Sequence, residues 1–137
     1  MAKKAIKNHE RLDLSFAEFG ALLGARTLLA TGALVHGTKP DGKIHAFDMG
    51  FACRTKDCGS VACIGGTMAQ IMGMNDDDAV SYVADKEAYD PIGKLFYPPD
   101  NIIYETITPR QAIKAIDNFL ATGKPLWNKI LTKKNRY

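Results

Sequence analysis

Apolar residues recur at helical spacing in several stretches of this chain, and one long stretch carries no charge at all. Ser15-Phe16-Ala17-Glu18 is a capping box. The Ser hydroxyl can accept from the backbone N–H three residues on, and the Glu can reach back. The apolar positions that follow (Phe16, Phe19, Leu22, Leu23, Leu28, Leu29) predict a helix to about Thr31, with Gly32 as a left-handed stop. Only Glu18 and Arg26 mark a wet edge on it. Thr108-Pro109-Arg110-Gln111 is a second capping box, with proline at the first helical position. It opens a helix to about Thr122 that Gly123 ends. Ala112, Ile113, Ile116, Phe119 and Leu120 form its core stripe, and Arg110, Lys114, Asp117 and Asn118 face water. Asn75 caps a further helix through about Ala88, with Asp76, Asp77 and Asp78 where the helix dipole favours anions. The acidic run lacks the alternating ligands and distal Glu of a calcium loop. Asp90-Pro91 begins a short helical turn ending at Phe96.

The uncharged stretch runs from Cys58 to Asn75 and is rich in glycine. Ser60 is a plausible N-cap, and the pattern predicts a helix over about 61–72. Val61, Ile64, Met68 and Ile71 make its bulky stripe, Ala62, Gly66, Ala69 and Gly73 a small one, and Cys63, Thr67 and Gln70 a weakly polar one. Glycine inside a helix costs roughly 1 kcal/mol against alanine. A paired glycine therefore implies close approach of a neighbour on the Ala62–Gly66–Ala69 face. The run is long enough on paper to span a membrane, but its glycines and its polar entrance favour a buried helix of a globular domain. The expected fold is mainly α: one domain of four or five helices around this central helix, with one short β-hairpin pairing 43–49 with 102–107. The expected organisation is a polar lead-in over 1–14, the domain over 15–127 with Trp127 folding back as an anchor, and a basic tail over 128–137.

Composition changes this picture little. The chain has 137 residues, 46% hydrophobic and 24% charged, which suits a single globular domain. The net charge of +3 hides an asymmetry. Residues 12–123 hold 9 bases and 14 acids, while Lys3, Lys4, Lys7 and Arg11 load one end and Lys124, Lys129, Lys133, Lys134 and Arg136 the other. The opening Met-Ala-Lys-Lys-Ala-Ile-Lys-Asn has no apolar core of a secretory signal. A cytoplasmic setting is therefore expected, with no membrane partner and with the cysteines as thiols.

Cys58-Gly59-Ser60-Val61-Ala62-Cys63-Ile64-Gly65-Gly66 resembles the Cys-Gly-[Thr/Ser]-x-x-Cys-x-x-Gly core of a family of small bacterial and phage proteins. Phe47-Asp48-Met49 upstream, and Leu95-Phe96-Tyr97-Pro98 and Thr108-Pro109 with Phe119 and Gly123 downstream, resemble the same family over roughly residues 45–127. The family has no assigned activity, so the resemblance implies a fold and, through its phage members, an accessory or inhibitory role toward a host factor. This chain has Thr67 where the family often has His or Trp.

The candidate chemistry is sparse. Cys63 near a helix N-terminus could be a thiolate nucleophile, with His45, His36 and Asp48 as base and orienter; a buried structural cysteine is the plainer reading. Cys58 and Cys63 lie near enough for a disulfide in principle. Cys53, Cys58, Cys63 and His45 number enough for zinc, but their spacing is not the Cys-x2-Cys knuckle, so no metal and no cofactor is expected. Tyr97, Tyr104 and Trp127 could line a groove with Thr67 and Gln70, or close the core edge. Lys129, Lys133, Lys134 and Arg136 could meet nucleic-acid phosphates. The expected function is a small non-catalytic binding or interaction protein with a protein partner, open to oligomerisation. The alternatives are nucleic-acid contact through the basic ends, a Cys63 enzyme, and a nucleotide pocket.

Overall fold

A computed structural model describes residues 8–36, 45–49, 54–56, 59–86 and 90–137. The protein is mainly helical, as expected, and among the described residues it has six α-helices and a small sheet. Helix α1 (Phe16–Ala30) starts at the Ser15–Glu18 capping box. It ends in a Schellman motif: Gly32 takes φ 78°, and the Ala33 N–H reaches the Leu28 carbonyl at 3.0 Å. Helix α3 (Asp76–Asp85) is capped by the Asn75 side chain on the Asp78 N–H. The short α4 spans Pro91–Phe96. Helix α5 (Pro109–Thr122) has the Thr108–Gln111 capping box and stops at Gly123, φ 83°. The short α6 (Trp127–Ile130) follows.

The central helix begins later than its composition predicts. Helix α2 covers Ile64–Ile71, and its N-cap is Cys63, whose sulfur accepts from the Gly66 N–H at 3.4 Å. Ser60 is not a cap. It sits in strand β4 (Gly59–Ala62), which pairs antiparallel with β3 (Arg54–Lys56) and parallel with β2 (His45–Phe47). Strand β1 (Leu34–His36) runs parallel to β2, giving the order β1-β2-β4-β3. The pattern 60–62 is compatible with either state, and pairing partners on both sides favour the strand. The expected pairing of 43–49 with 102–107 does not form. Residues 45–47 lie between β1 and β4, the antiparallel pair is β3–β4, and Ile102 instead bridges Arg136.

Every residue from Ile64 to Ala69 is buried. Helix α2 packs against α1, α3, α4 and β4. The close approach is clearest at Gly65, where an added Cβ would lie 2.9 Å from Val83 Cγ2 and 3.0 Å from the Phe96 ring. Ala69 packs with Ala79 of α3. No helix among the described residues is long and apolar enough to cross a membrane.

The described part of the lead-in is more deeply built in than expected. Leu12 and Leu14 join the core, and His9 Nδ1 donates to the Leu14 carbonyl at 3.1 Å. Phe16, one of the apolar positions that predict this helix, is 78% exposed and stands edge-on to His9. The supposed wet edge of α1 is a set of clamps. Glu18 accepts from the Tyr82 hydroxyl at 2.6 Å and pairs with Lys86 at 3.0 Å, and Arg26 makes a two-bond pair with Asp117 of α5. Partial burial works against the Glu18 carboxylate. The Tyr82 hydroxyl, the Ser15 N–H and Lys86 outweigh it and hold the carboxyl below its ordinary range.

Candidate functional site

The sheet carries two chemistry-bearing residues to one end. Asp48 follows β2 and Cys63 follows β4, and Phe47 and Ala62 are register partners across the parallel pair. Both are sealed: Asp48 is 1% exposed and Cys63 3%. Cys63 is not in a disulfide. Burial pushes its thiol up; the Gly66 and Gly65 N–H groups act the other way, and the Asp48 carboxylate adds to the rise. A thiol so placed is protonated near neutral pH and closed to a substrate. Thr67, one turn on, donates its hydroxyl to the Cys63 carbonyl at 2.8 Å, and Gln70 is half-buried. Cys53 and Cys58 lie outside the described residues, as does the side chain of His45, whose backbone is in β2. No cluster of three metal-binding side chains occurs among the described residues.

The aromatic candidates each tie one segment to another. The Tyr97 hydroxyl donates to the Val83 carbonyl and the Tyr104 hydroxyl to the Pro98 carbonyl, both at 2.5 Å. Trp127 is 4% exposed, and its indole N–H donates to the Lys94 carbonyl at 3.1 Å. These rings brace the edge of the core through their polar atoms.

The C-terminal candidates are the ones that the structure gathers. Residues 128–137, expected as a tail, fold back along α5. Asn118 Nδ2 donates to the Pro125 carbonyl at 3.1 Å. Lys114, Asp117 and Asn118 of α5 then face Leu126, Lys129 and Ile130 across a shallow, open depression of about 470 Å³. Further along, a 3-10 turn over Lys133–Asn135 brings Asn135 against the start of α5. Asn135 is 3% exposed. Its Oδ1 accepts from Gln111 Nε2 at 2.8 Å and from the Thr132 N–H at 3.0 Å; its Nδ2 donates to the Thr106 carbonyl at 3.1 Å and hydroxyl at 3.0 Å. The Ile103 N–H donates to the Asn135 carbonyl at 2.7 Å, and the Tyr137 N–H to the Asn101 carbonyl at 3.2 Å.

The segment therefore runs antiparallel to α5, with Asn118 beside Pro125, Lys114 near Lys129 and Gln111 bonded to Asn135. Two basic rails result: Arg110 and Lys114, one turn apart on α5, and Lys129, Lys133, Lys134 and Arg136 on the returning segment. All but the half-exposed Arg136 are solvent-exposed. Across residues 109–137 there are seven bases and a single acid, Asp117, and Arg26 holds that acid. Arg110 and Lys114 were legible only as a water-facing stripe, and Asn135 carried no signal at all. Comparison with protein families, with curated proteins and with solved structures yields no match to this chain.

Proposed function

We propose that this protein is a small non-catalytic binding protein whose docking surface is the basic face of α5 and the returning C-terminal segment, and whose partner is an anionic macromolecule. The observation that carries this reading is the docked state of the segment. A frayed tail would offer scattered charges; here a buried asparagine fixes them beside those of α5. Like-signed side chains on a docked backbone, with no carboxylate partner among the described residues, raise the local potential and draw an anionic partner in. The sealed, protonated Cys63 argues against the thiolate alternative. The accessory role that the family resemblance implies would be exercised through this same face.

Heparin is a suitable probe, because it is a polyanion of neither the protein nor the nucleic-acid class. Charge reversal at Lys114 and Lys129 (K114E/K129E) should weaken heparin binding by about tenfold or more. A reversal at Arg11, exposed in the lead-in, should have a much smaller effect per charge. Equal losses per charge in the two variants would mean that net charge alone governs binding, and the assignment of the face would fail.

A further inference from the structure

We infer that the partner of this face is the sugar–phosphate backbone of a nucleic-acid duplex, gripped without regard to base sequence. The inference rests on the binding role proposed above and adds the class of partner. The first argument is the shape of the charge. Arg110 and Lys114 on one rail and Lys129, Lys133, Lys134 and Arg136 on the other make a track, not a point. Its charged α5 side, from Arg110 to Lys114, is about 6 Å long at ~1.5 Å per helical residue. One strand of a duplex presents a phosphate every ~3.4 Å of axis, so the track matches about two phosphates.

The second argument excludes a single strand as the preferred form. Sequence-tolerant single-strand binders stack bases on aromatic faces. The track carries one exposed ring, Tyr137 at its end, and no succession of rings for successive bases: Trp127 is buried, and the depression is lined by Leu126 and Ile130. Base-edge reading is also unsupported. Ala112, Ala115, Ile116, Phe119 and Leu120 of α5 are all in the core, so the helix has only one charged edge left to show. An acidic protein is the weaker candidate for a related reason. Exposed lysine–carboxylate pairs bring little each, whereas a phosphate backbone releases condensed counterions for every charge neutralised.

The test uses the full chain with fluorescent 20-base-pair duplexes of two unrelated sequences, the matching single strand, and poly-glutamate. Affinity is followed by anisotropy from 50 to 200 mM salt. For about two phosphates the duplex affinity should fall roughly tenfold over that range, identically for both sequences. K114E/K129E and K133E/K134E should each weaken binding and flatten this salt dependence; circular dichroism checks that both variants are folded. Preference for the single strand, or for one duplex sequence, would overturn the inference. So would poly-glutamate binding that K114E/K129E abolishes while duplex does not bind; in that case the docking face itself would stand. Failure to bind duplex, poly-glutamate and heparin alike would remove both the inference and the reading beneath it.

Discussion

Cys63 and Asn135 are equally sealed from solvent, and they have opposite consequences. Cys63 sits where a helix start could activate a thiol, but the loss of water around it costs the thiolate more than the Gly65 and Gly66 N–H groups return. Iodoacetamide at pH 7.5 should therefore leave Cys63 of the folded protein unmodified over a time that fully labels it in denaturant. Peptide mass mapping separates it from Cys53 and Cys58. Rapid native labelling at Cys63 would reopen the thiolate reading. Asn135 has no reactivity and yet fixes the C-terminal segment, because each end of its amide has partners within 3.1 Å. Asn135→Ala leaves the Gln111 amide and the Thr106 groups without that partner inside the fold. A loss of about 1–3 kcal/mol in denaturant unfolding is expected. An unchanged midpoint would mean that the segment is held by Leu131 and Trp127 alone.

Helices α1 and α2 use glycine for different ends, which predicts opposite signs for one substitution. Gly20 lies in the exposed middle of α1, and an added Cβ would meet nothing within 4 Å. Gly20→Ala should stabilise by about 0.5–1 kcal/mol, through backbone entropy alone. At Gly65 the same methyl meets Val83 and Phe96 at 3.0 Å or less. Gly65→Ala should gain less than Gly20→Ala or lose outright, and Gly65→Leu should cost about 1–3 kcal/mol or more by overpacking. Denaturant midpoints of the three variants check this, and a Gly65→Leu protein as stable as the parent would show that α3 and α4 do not press on α2. The anticipated face is met only at Ala69, which packs on Ala79 of α3; the tight approach is at Gly65, off that face, and α3 and α4 make it. Ala62, expected on that face, belongs to β4.

The whole molecule is electrically divided: the basic C-terminal face lies on a body in which acids outnumber bases. The charges themselves were legible in the chain, as were Lys129, Lys133, Lys134 and Arg136 as anion contacts. Their union with Arg110 and Lys114 was not, because it depends on Asn135 finding Gln111, 24 residues away. The same division runs through the fold. Helix starts at Ser15, Asn75 and Thr108, and stops at Gly32 and Gly123, follow from side-chain and backbone bonds spanning a few residues, so local chemistry settles them. Ser60–Ala62 as strand, Leu12 and Leu14 in the core, and Arg26 bound to Asp117 across 91 positions follow from contacts that exist only once the chain has closed on itself. A strand partner or a distant carboxylate leaves no mark on the residues beside it, and so packing alone chose these outcomes.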